Sequence, residues 1–201
     1  WKEYEERAAK LAFFLNEKSI GNDSKIGLYL HNSNEYLEAQ FATFKVEGVP
    51  INVNYRYVEE ELIYLLDNSD SEVVFFQSVY AERKNKIADK LPKIKAYIQV
   101  GGENSLDMNN CYLYEEIISE NPPLARKTRS EDNIYMLYTG GTTGMPKGVM
   151  YKQGGFMNSL LKTALAMGFD VPESHLDIPS TVSELSSKNM LSKTIVACPL
   201  M

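Results

Sequence analysis

Short apolar runs recur along this chain at almost equal intervals, and this spacing restricts the fold more than any other feature. The runs begin at Ile26, Val49, Val73 and Ala96, which lie 23, 24 and 23 residues apart. Each is followed by a segment in which apolar residues recur at the helical period. Strands that alternate with such helices form βαβ units, which build a parallel sheet covered by helices. The sequence therefore predicts an α/β fold with a doubly wound, mainly parallel sheet.

Residues at the helix ends predict where these elements begin and stop. Asn32 and Glu35 have the spacing of a capping pair at the start of the second helix, and Gly48 stands where that helix should end. The glutamates at 59–61 suit the positively polarised start of the next helix. An apolar stripe from the first residue predicts a helix that stops before Gly21.

The middle of the chain predicts a boundary between two subdomains. Residues 101–111 have the composition of a loop, 112–120 of a short helix, and 121–130 of a polar connector with two prolines. We therefore expect residues 1–125 to form a first α/β subdomain and residues 126–201 to begin a second, incomplete one.

The second part of the chain has its own apolar segments. Residues 134–138 predict a buried strand, and 149–152 predict a short strand after an intervening loop. An amphipathic helix is expected from Phe156 to Gly168, followed by a weakly patterned segment. Residues 194–201 predict another buried strand.

The loop between the first two of these strands has the composition of a phosphate-binding loop. Its glycines can adopt φ values closed to other residues and can turn their N–H groups toward a polyanion. Its threonines add hydroxyl groups, its lysine adds a positive charge, and Pro146 fixes the backbone before that lysine. The residues predicted to bind phosphate are Thr139, Gly140, Gly141, Thr142, Thr143, Gly144 and Lys147.

Two other interpretations of the loop fit less well. A Walker A loop requires Gly-Lys-Ser/Thr, whereas here Lys147 lies between Pro146 and Gly148. A plain turn between two strands does not require three glycines, three threonines and a Pro-Lys pair in this order.

Residues 138–149 resemble the signature loop of the adenylate-forming enzymes, which include acyl-CoA synthetases, firefly luciferase and the adenylation domains of peptide synthetases. That pattern is an aromatic residue, Thr/Ser, Ser/Gly, Gly, Thr, Thr, Gly, any residue, Pro, Lys, Gly, Val, and the chain matches every position. Gly140 stands where many members have serine, but glycine recurs there in acyl-CoA synthetases. Weaker similarity covers 31–36, 48–57 and 198–201.

The resemblance implies that the chain is an N-terminal fragment of an acyl-CoA synthetase, within the large N-terminal domain. Such an enzyme activates a carboxylic acid, here a fatty acid, with ATP and Mg²⁺ to an acyl-adenylate, and then transfers the acyl group to coenzyme A. The metal-binding glutamate, the ribose-binding aspartate and the catalytic lysine of the family would lie after Met201. We therefore expect no catalytic residue and no metal ligand in these 201 residues, and no complete reaction from them alone.

Two alternatives stay open at this point. The chain could belong to an adenylation domain that loads an amino acid or an aryl acid onto a carrier protein. It could also be a nucleotide-binding module without catalysis. The sequence does not decide the acid, the thiol acceptor or the oligomeric state.

Charge and cysteine content exclude other classes. The net charge is −6 with acidic residues spread along the chain, so no nucleic-acid surface is expected. A binder of nucleoside triphosphate with this charge needs local cations, for which Lys147 and Lys152 are candidates. Cys111 and Cys198 are far apart, which favours a reducing, cytoplasmic location over a disulfide framework. No apolar run is long enough for a membrane span.

Overall fold

A computed structural model of the chain describes residues 1–102, 110–139, 145–166, 168, 171–172 and 175–190. Three sequence predictions therefore lie wholly or largely outside the described residues: the strand at 194–201, most of the loop at 101–111, and the phosphate-binding residues at 140–144.

The helices and strands follow, as far as Val100, the order that the apolar pattern predicts. They are α1 (Lys2–Glu17), β1 (Lys25–Tyr29), α2 (Asn34–Lys45), β2 (Val49–Asn52), α3 (Glu59–Asn68), β3 (Ser71–Gln77), α4 (Ala81–Ala88), β4 (Ala96–Val100), β5 (Cys111–Leu113), α5 (Tyr114–Glu120), β6 (Ile134–Thr139), β7 (Lys147–Lys152), α6 (Gln153–Ala166) and α7 (Ile178–Ser187). Short 3₁₀ helices cover Ser78–Tyr80 and His175–Asp177.

The first five strands form one parallel sheet in the order β2-β1-β3-β4-β5. All four apolar runs that predicted strands are in this sheet, so the predicted parallel α/β fold is confirmed. The fifth strand was missed, because Cys111–Leu113 has only three residues and was divided between a predicted loop and a predicted helix. Three residues are too few for an alternating pattern to appear.

Helices cover both faces of the sheet, which confirms the doubly wound arrangement. Val73 and Phe75 of β3 pack with residues of α1, α2 and α5. Val74 and Phe76, which point to the opposite face, pack with residues of α3 and α4. Because the central strands are buried on both faces, their sequence is a continuous apolar run and not an alternating one.

The ends of α2 differ from the prediction. The side chain of Ser33, and not of Asn32, caps its N-terminus by accepting a hydrogen bond from the Tyr36 N–H at 3.2 Å. At the other end, the left-handed residue is Glu47, with φ of 63°. Gly48 instead serves close packing, because a Cβ there would lie 3.0 Å from the Ser24 carbonyl oxygen.

The second part of the chain begins with an antiparallel hairpin of β6 and β7. Only Met136 and Tyr138 of β6 are buried, so the strand predicted as buried is half-buried. The helix predicted to end at Gly168 is α6, and none of its described side chains is buried. Helix α7 lies in the segment that showed only a weak pattern. The proposed boundary between residues 125 and 126 stays a prediction.

None of the described helices combines the length and the apolar character that crossing a membrane requires.

The packing of Gly48 yields a stability prediction. We expect Gly48→Ala to lower the free energy of unfolding by about 1 to 3 kcal/mol, because the added methyl group enters filled space beside a backbone carbonyl. Chemical denaturation of the purified chain measures this effect. Gly21→Ala is the matched control, since its Cβ would meet no atom closer than 3.9 Å. Equal stability of the two variants would contradict the packing role of Gly48.

Candidate nucleotide-binding site

The hairpin brings the two ends of the predicted phosphate-binding loop together. In the register of β6 and β7, Thr139 lies directly opposite Lys147. Opposed Cα atoms in antiparallel strands are about 4.5 to 5.5 Å apart, so the loop begins and ends at one place. Both residues are exposed. The predicted residues at 140–144 are outside the described part of the chain, and the geometry of the site therefore rests on Thr139 and Lys147.

Lys147 is the cation at the mouth of this loop. None of the residues that the structure describes forms a hydrogen bond or an ion pair with its ammonium group. Lys152, the other candidate, lies at the opposite end of β7, roughly 16 Å along the strand. Its ammonium is 2.6 Å from Asp132 Oδ1, and this contact raises the pKa of Lys152 and lowers that of Asp132. Lys152 therefore does not contribute to the loop.

A side chain at the edge of the parallel sheet holds the hairpin. The edge strand is β2, and its Val49 and Val53 N–H groups bond on the β1 side. Because N–H groups alternate in direction along a strand, Pro50 occupies a position that faces the free edge, and proline has no donor. Asn52 accepts a hydrogen bond from the Tyr138 N–H at 2.9 Å and donates one to the Tyr138 carbonyl at 3.3 Å. Its side-chain amide supplies the donor and acceptor that a paired strand would offer.

Helix α3 contacts both ends of the loop. Tyr64 and Asn68 are four residues apart and therefore lie on one face of this helix. Asn68 Oδ1 accepts a hydrogen bond from the Tyr138 hydroxyl at 2.8 Å, and the Tyr64 hydroxyl donates to the Pro146 carbonyl at 3.2 Å. Burial raises the pKa of Tyr138, which keeps its phenol protonated and able to donate at neutral pH. The loop starts directly after Tyr138 and ends directly after Pro146.

Gly148 makes room for the ring of Tyr138. The two residues are opposite each other in the hairpin. A Cβ at Gly148 would lie 3.0 and 3.2 Å from two ring carbons of Tyr138, and 2.9 Å from Met136 Sδ. The glycine after the lysine of the signature therefore has a packing reason, which is separate from any contact with phosphate.

The sequence analysis missed Asn52, Tyr64 and Asn68. Their contacts join residues that are 70 to 86 positions apart in the chain, and no local pattern reports such a distance. The sequence around Asn52 does contain one local indication of its role. Asn52 is a polar residue two positions after a proline in an otherwise apolar strand. That combination is typical of an edge strand that contacts another element.

Over the described ranges, no group of three or more His, Cys, Asp or Glu side chains is arranged to hold a metal ion.

Comparison with known proteins identifies the family. A family model described as AMP-binding enzyme matches residues 1–181, which is most of the chain. The chain belongs to the AMP-binding enzyme family. This membership explains why residues 138–149 resemble the signature loop and why the first five strands form a parallel sheet.

Several curated relatives of this AMP-binding chain are acyl-CoA ligases. The 3-oxocholest-4-en-26-oate–CoA ligase of Rhodococcus rhodochrous is 39% identical over 155 residues, which cover 76% of this chain and 28% of the relative. A medium-chain acyl-CoA ligase of Mycobacterium avium is 35% identical, and the match covers 30% of that relative. Bacitracin synthase 3 of Bacillus licheniformis is 26% identical over 200 residues, or 3% of its length. The chain thus spans less than a third of the relatives that it matches.

Solved structures agree on the fold. A long-chain-fatty-acid–CoA ligase from Archaeoglobus fulgidus has a TM-score of 0.70 and 26% identity, over 84% of this chain and 33% of that one. An anthranilate–CoA ligase in complex with anthranoyl-AMP has a TM-score of 0.73 over 81% of this chain and 32% of that one. Its identity of 19% supports the fold alone.

The contact between Gly148 and Tyr138 can be tested directly. We expect Gly148→Ala to destabilise the hairpin by about 1 to 3 kcal/mol, because the methyl group collides with the ring of Tyr138. Hydrogen exchange of peptides from the hairpin measures the change.

Gly155→Ala is the control within the same part of the chain. Its Cβ would meet no atom within 4 Å, and alanine is favoured over glycine inside a helix by about 1 kcal/mol. If hairpin peptides exchange hydrogen at the same rate in both variants, the steric role of Gly148 is wrong.

Proposed function

We propose that these residues form the N-terminal part of an ATP-dependent acyl-CoA ligase, in which the loop between β6 and β7 binds the phosphates of ATP. The observation that supports this proposal is the exposed side chain of Lys147, which lies opposite Thr139 at the end of a loop that matches the family signature. Among the described residues, its ammonium group has no hydrogen-bond or ion-pair partner. An acidic chain needs such a local cation, because its overall field repels a triphosphate.

The first step of the proposed reaction joins two anions. A carboxylate oxygen of the acid attacks the α-phosphorus of ATP, and the bond from that phosphorus to the bridging oxygen of pyrophosphate breaks. The products are an acyl-adenylate and pyrophosphate. Lys147, the threonine hydroxyls and the N–H groups of the glycines would bind the β- and γ-phosphates and stabilise the leaving pyrophosphate. We assign these roles to Thr139, Gly140, Gly141, Thr142, Thr143, Gly144 and Lys147.

Magnesium would enter as part of the substrate, bound to the phosphates of ATP. Among the described residues, no group of three or more His, Cys, Asp or Glu side chains could hold the ion. In the second step the thiol of coenzyme A attacks the acyl carbon of the adenylate and AMP leaves. No described residue is assigned a catalytic role in this transfer.

The acid is proposed to be a fatty or similarly hydrophobic acid. This proposal is supported by the relatives with 35 to 39% identity, whose names refer to a steroid acid and to medium-chain acids. Adenylation of an amino acid for a carrier protein is the second candidate, which the match to bacitracin synthase 3 over the whole chain favours. Its identity is lower, at 26%. A non-catalytic nucleotide-binding module is the third.

We further propose that the partners are small molecules, namely the acid, ATP and CoA, and that the reaction takes place in the cytoplasm. The buried free thiol of Cys111 is compatible with a reducing compartment.

The role of Lys147 is tested by calorimetric titration of the purified chain with MgATP. We expect Lys147→Ala to weaken binding by about tenfold or more, because a hydrogen bond to a charged group contributes about 1.5 to 3 kcal/mol. We also expect the double variant Thr142→Ala, Thr143→Ala to bind MgATP more weakly than the unchanged chain.

Lys152→Ala is the matched control, since it removes a lysine of the same strand that is already paired with Asp132. Binding that responds equally to the loss of either lysine would mean that the loop is not the phosphate site.

The identity of the thiol that accepts the acyl group, CoA or a carrier protein, is tested in the complete protein that contains these residues. We expect the formation of AMP and an acyl-CoA from a hydrophobic acid, ATP and CoA, detected by mass spectrometry. Exchange of pyrophosphate that depends on an amino acid, without any CoA product, would favour the carrier-loading function instead.

A further inference from the structure

The predicted phosphate-binding loop is attached at its start to strand β2 and helix α3, and at its end to helix α3. On the side where the loop begins, Tyr138 makes three hydrogen bonds, two to the side chain of Asn52 and one to that of Asn68. On the side where it ends, the carbonyl of Pro146 accepts a hydrogen bond from Tyr64. The side chains that make these contacts come from β2 and α3.

The chemistry of Asn52 suits this attachment. A carboxamide carries a donor and an acceptor side by side, so it can bond both to the N–H and to the carbonyl of one residue. Asn52 does so with Tyr138, at 2.9 and 3.3 Å. This pair of bonds fixes the backbone orientation of Tyr138, the residue directly before Thr139. Neither an aspartate nor a leucine at position 52 could form both bonds.

Helix α3 contacts both ends of the loop, at Tyr138 and at Pro146. Tyr64 and Asn68 lie on one face of a single helix, and that helix packs against the sheet through Leu62, Leu65 and Leu66, which are buried. The distance between the two attachment points is therefore set by a rigid element. Because Pro146 precedes Lys147, the bond from Tyr64 fixes the backbone from which the lysine side chain extends.

We propose that Asn52, Tyr64 and Asn68 are positioning residues for ATP, which hold the two described ends of the phosphate-binding loop, at Thr139 and Lys147, in place before ATP binds. This inference rests on the proposed function of the loop. The three side chains contact the backbone at Tyr138 and Pro146 and the hydroxyl of Tyr138, and they act on the triphosphate only through Thr139 and Lys147. A loop whose ends are already ordered loses less conformational entropy when it binds.

The test uses Asn52→Leu and Tyr64→Phe in the complete protein. Asn52→Leu removes two hydrogen bonds and keeps the number of non-hydrogen side-chain atoms, and Tyr64→Phe removes one hydrogen bond and only the hydroxyl group. Tyr4→Phe and Asn110→Leu are the matched controls. Tyr4 donates its hydroxyl to the Leu37 carbonyl at 3.1 Å, and Asn110 donates to the Ile94 carbonyl at 3.4 Å, both away from the hairpin.

Two measurements distinguish positioning from general stability. Without nucleotide, hydrogen exchange should become about tenfold faster in peptides that contain Tyr138 or Lys147, and should be unchanged in peptides from β1 and β3. In steady-state kinetics, KM for ATP should rise about five- to tenfold, while KM for the acid stays constant. The controls should change neither quantity.

Failure of this inference differs from failure of the proposed function. If Lys147→Ala raises KM for ATP but Asn52→Leu and Tyr64→Phe resemble their controls, the loop binds ATP and the positioning role is wrong. If exchange accelerates equally in the loop and in the sheet, the residues serve stability alone and the positioning role is again wrong. If Lys147→Ala leaves KM for ATP unchanged, the proposed phosphate site is wrong, and so is the positioning of ATP through it.

Discussion

The hydrogen bonds between Asn52 and Tyr138 join the two parts of this chain. Edge strands expose unpaired N–H and C=O groups that can pair with any neighbouring strand. Here Pro50 removes one donor from the free edge of β2, and the hairpin is held there by a side chain instead of by a continued ladder. The hairpin can therefore take an orientation of its own, with Met136 and Tyr138 packed into the core on the α3 side.

This attachment matters because of the residue types in the loop. Glycine and threonine residues make few packing contacts, and glycine loses more conformational freedom on ordering than other residues do. The order of such a loop must come from the elements at its ends. In this chain those elements are a strand pair with Thr139 opposite Lys147, and a helix whose Tyr64 and Asn68 contact both sides of the loop.

Charge at the site is local. The chain carries a net charge of −6, and Lys152 of the hairpin is paired with Asp132. Lys147 differs from Lys152 in position and not in residue type. The antiparallel register places one at the mouth of the loop and the other at the far end of the same strand.

Much of the fold could be predicted because it depends on local pattern. The runs at Ile26, Val49, Val73 and Ala96 became parallel strands, since strands buried on both faces are apolar throughout. Predictions failed where neighbouring elements decide the outcome. Gly48 looked like a helix stop, but its lack of a Cβ serves contact with Ser24, while Glu47 takes the left-handed conformation.

The sequence by itself therefore determined the fold class, the identity of the loop and the family, because these depend on the order and spacing of residues along the chain. Only the tertiary structure decided which residues support the loop. The contacts of Asn52, Tyr64 and Asn68 join residues 70 to 86 positions apart. It also placed Lys147, and not Lys152, opposite Thr139, because strand register sets which residues face each other.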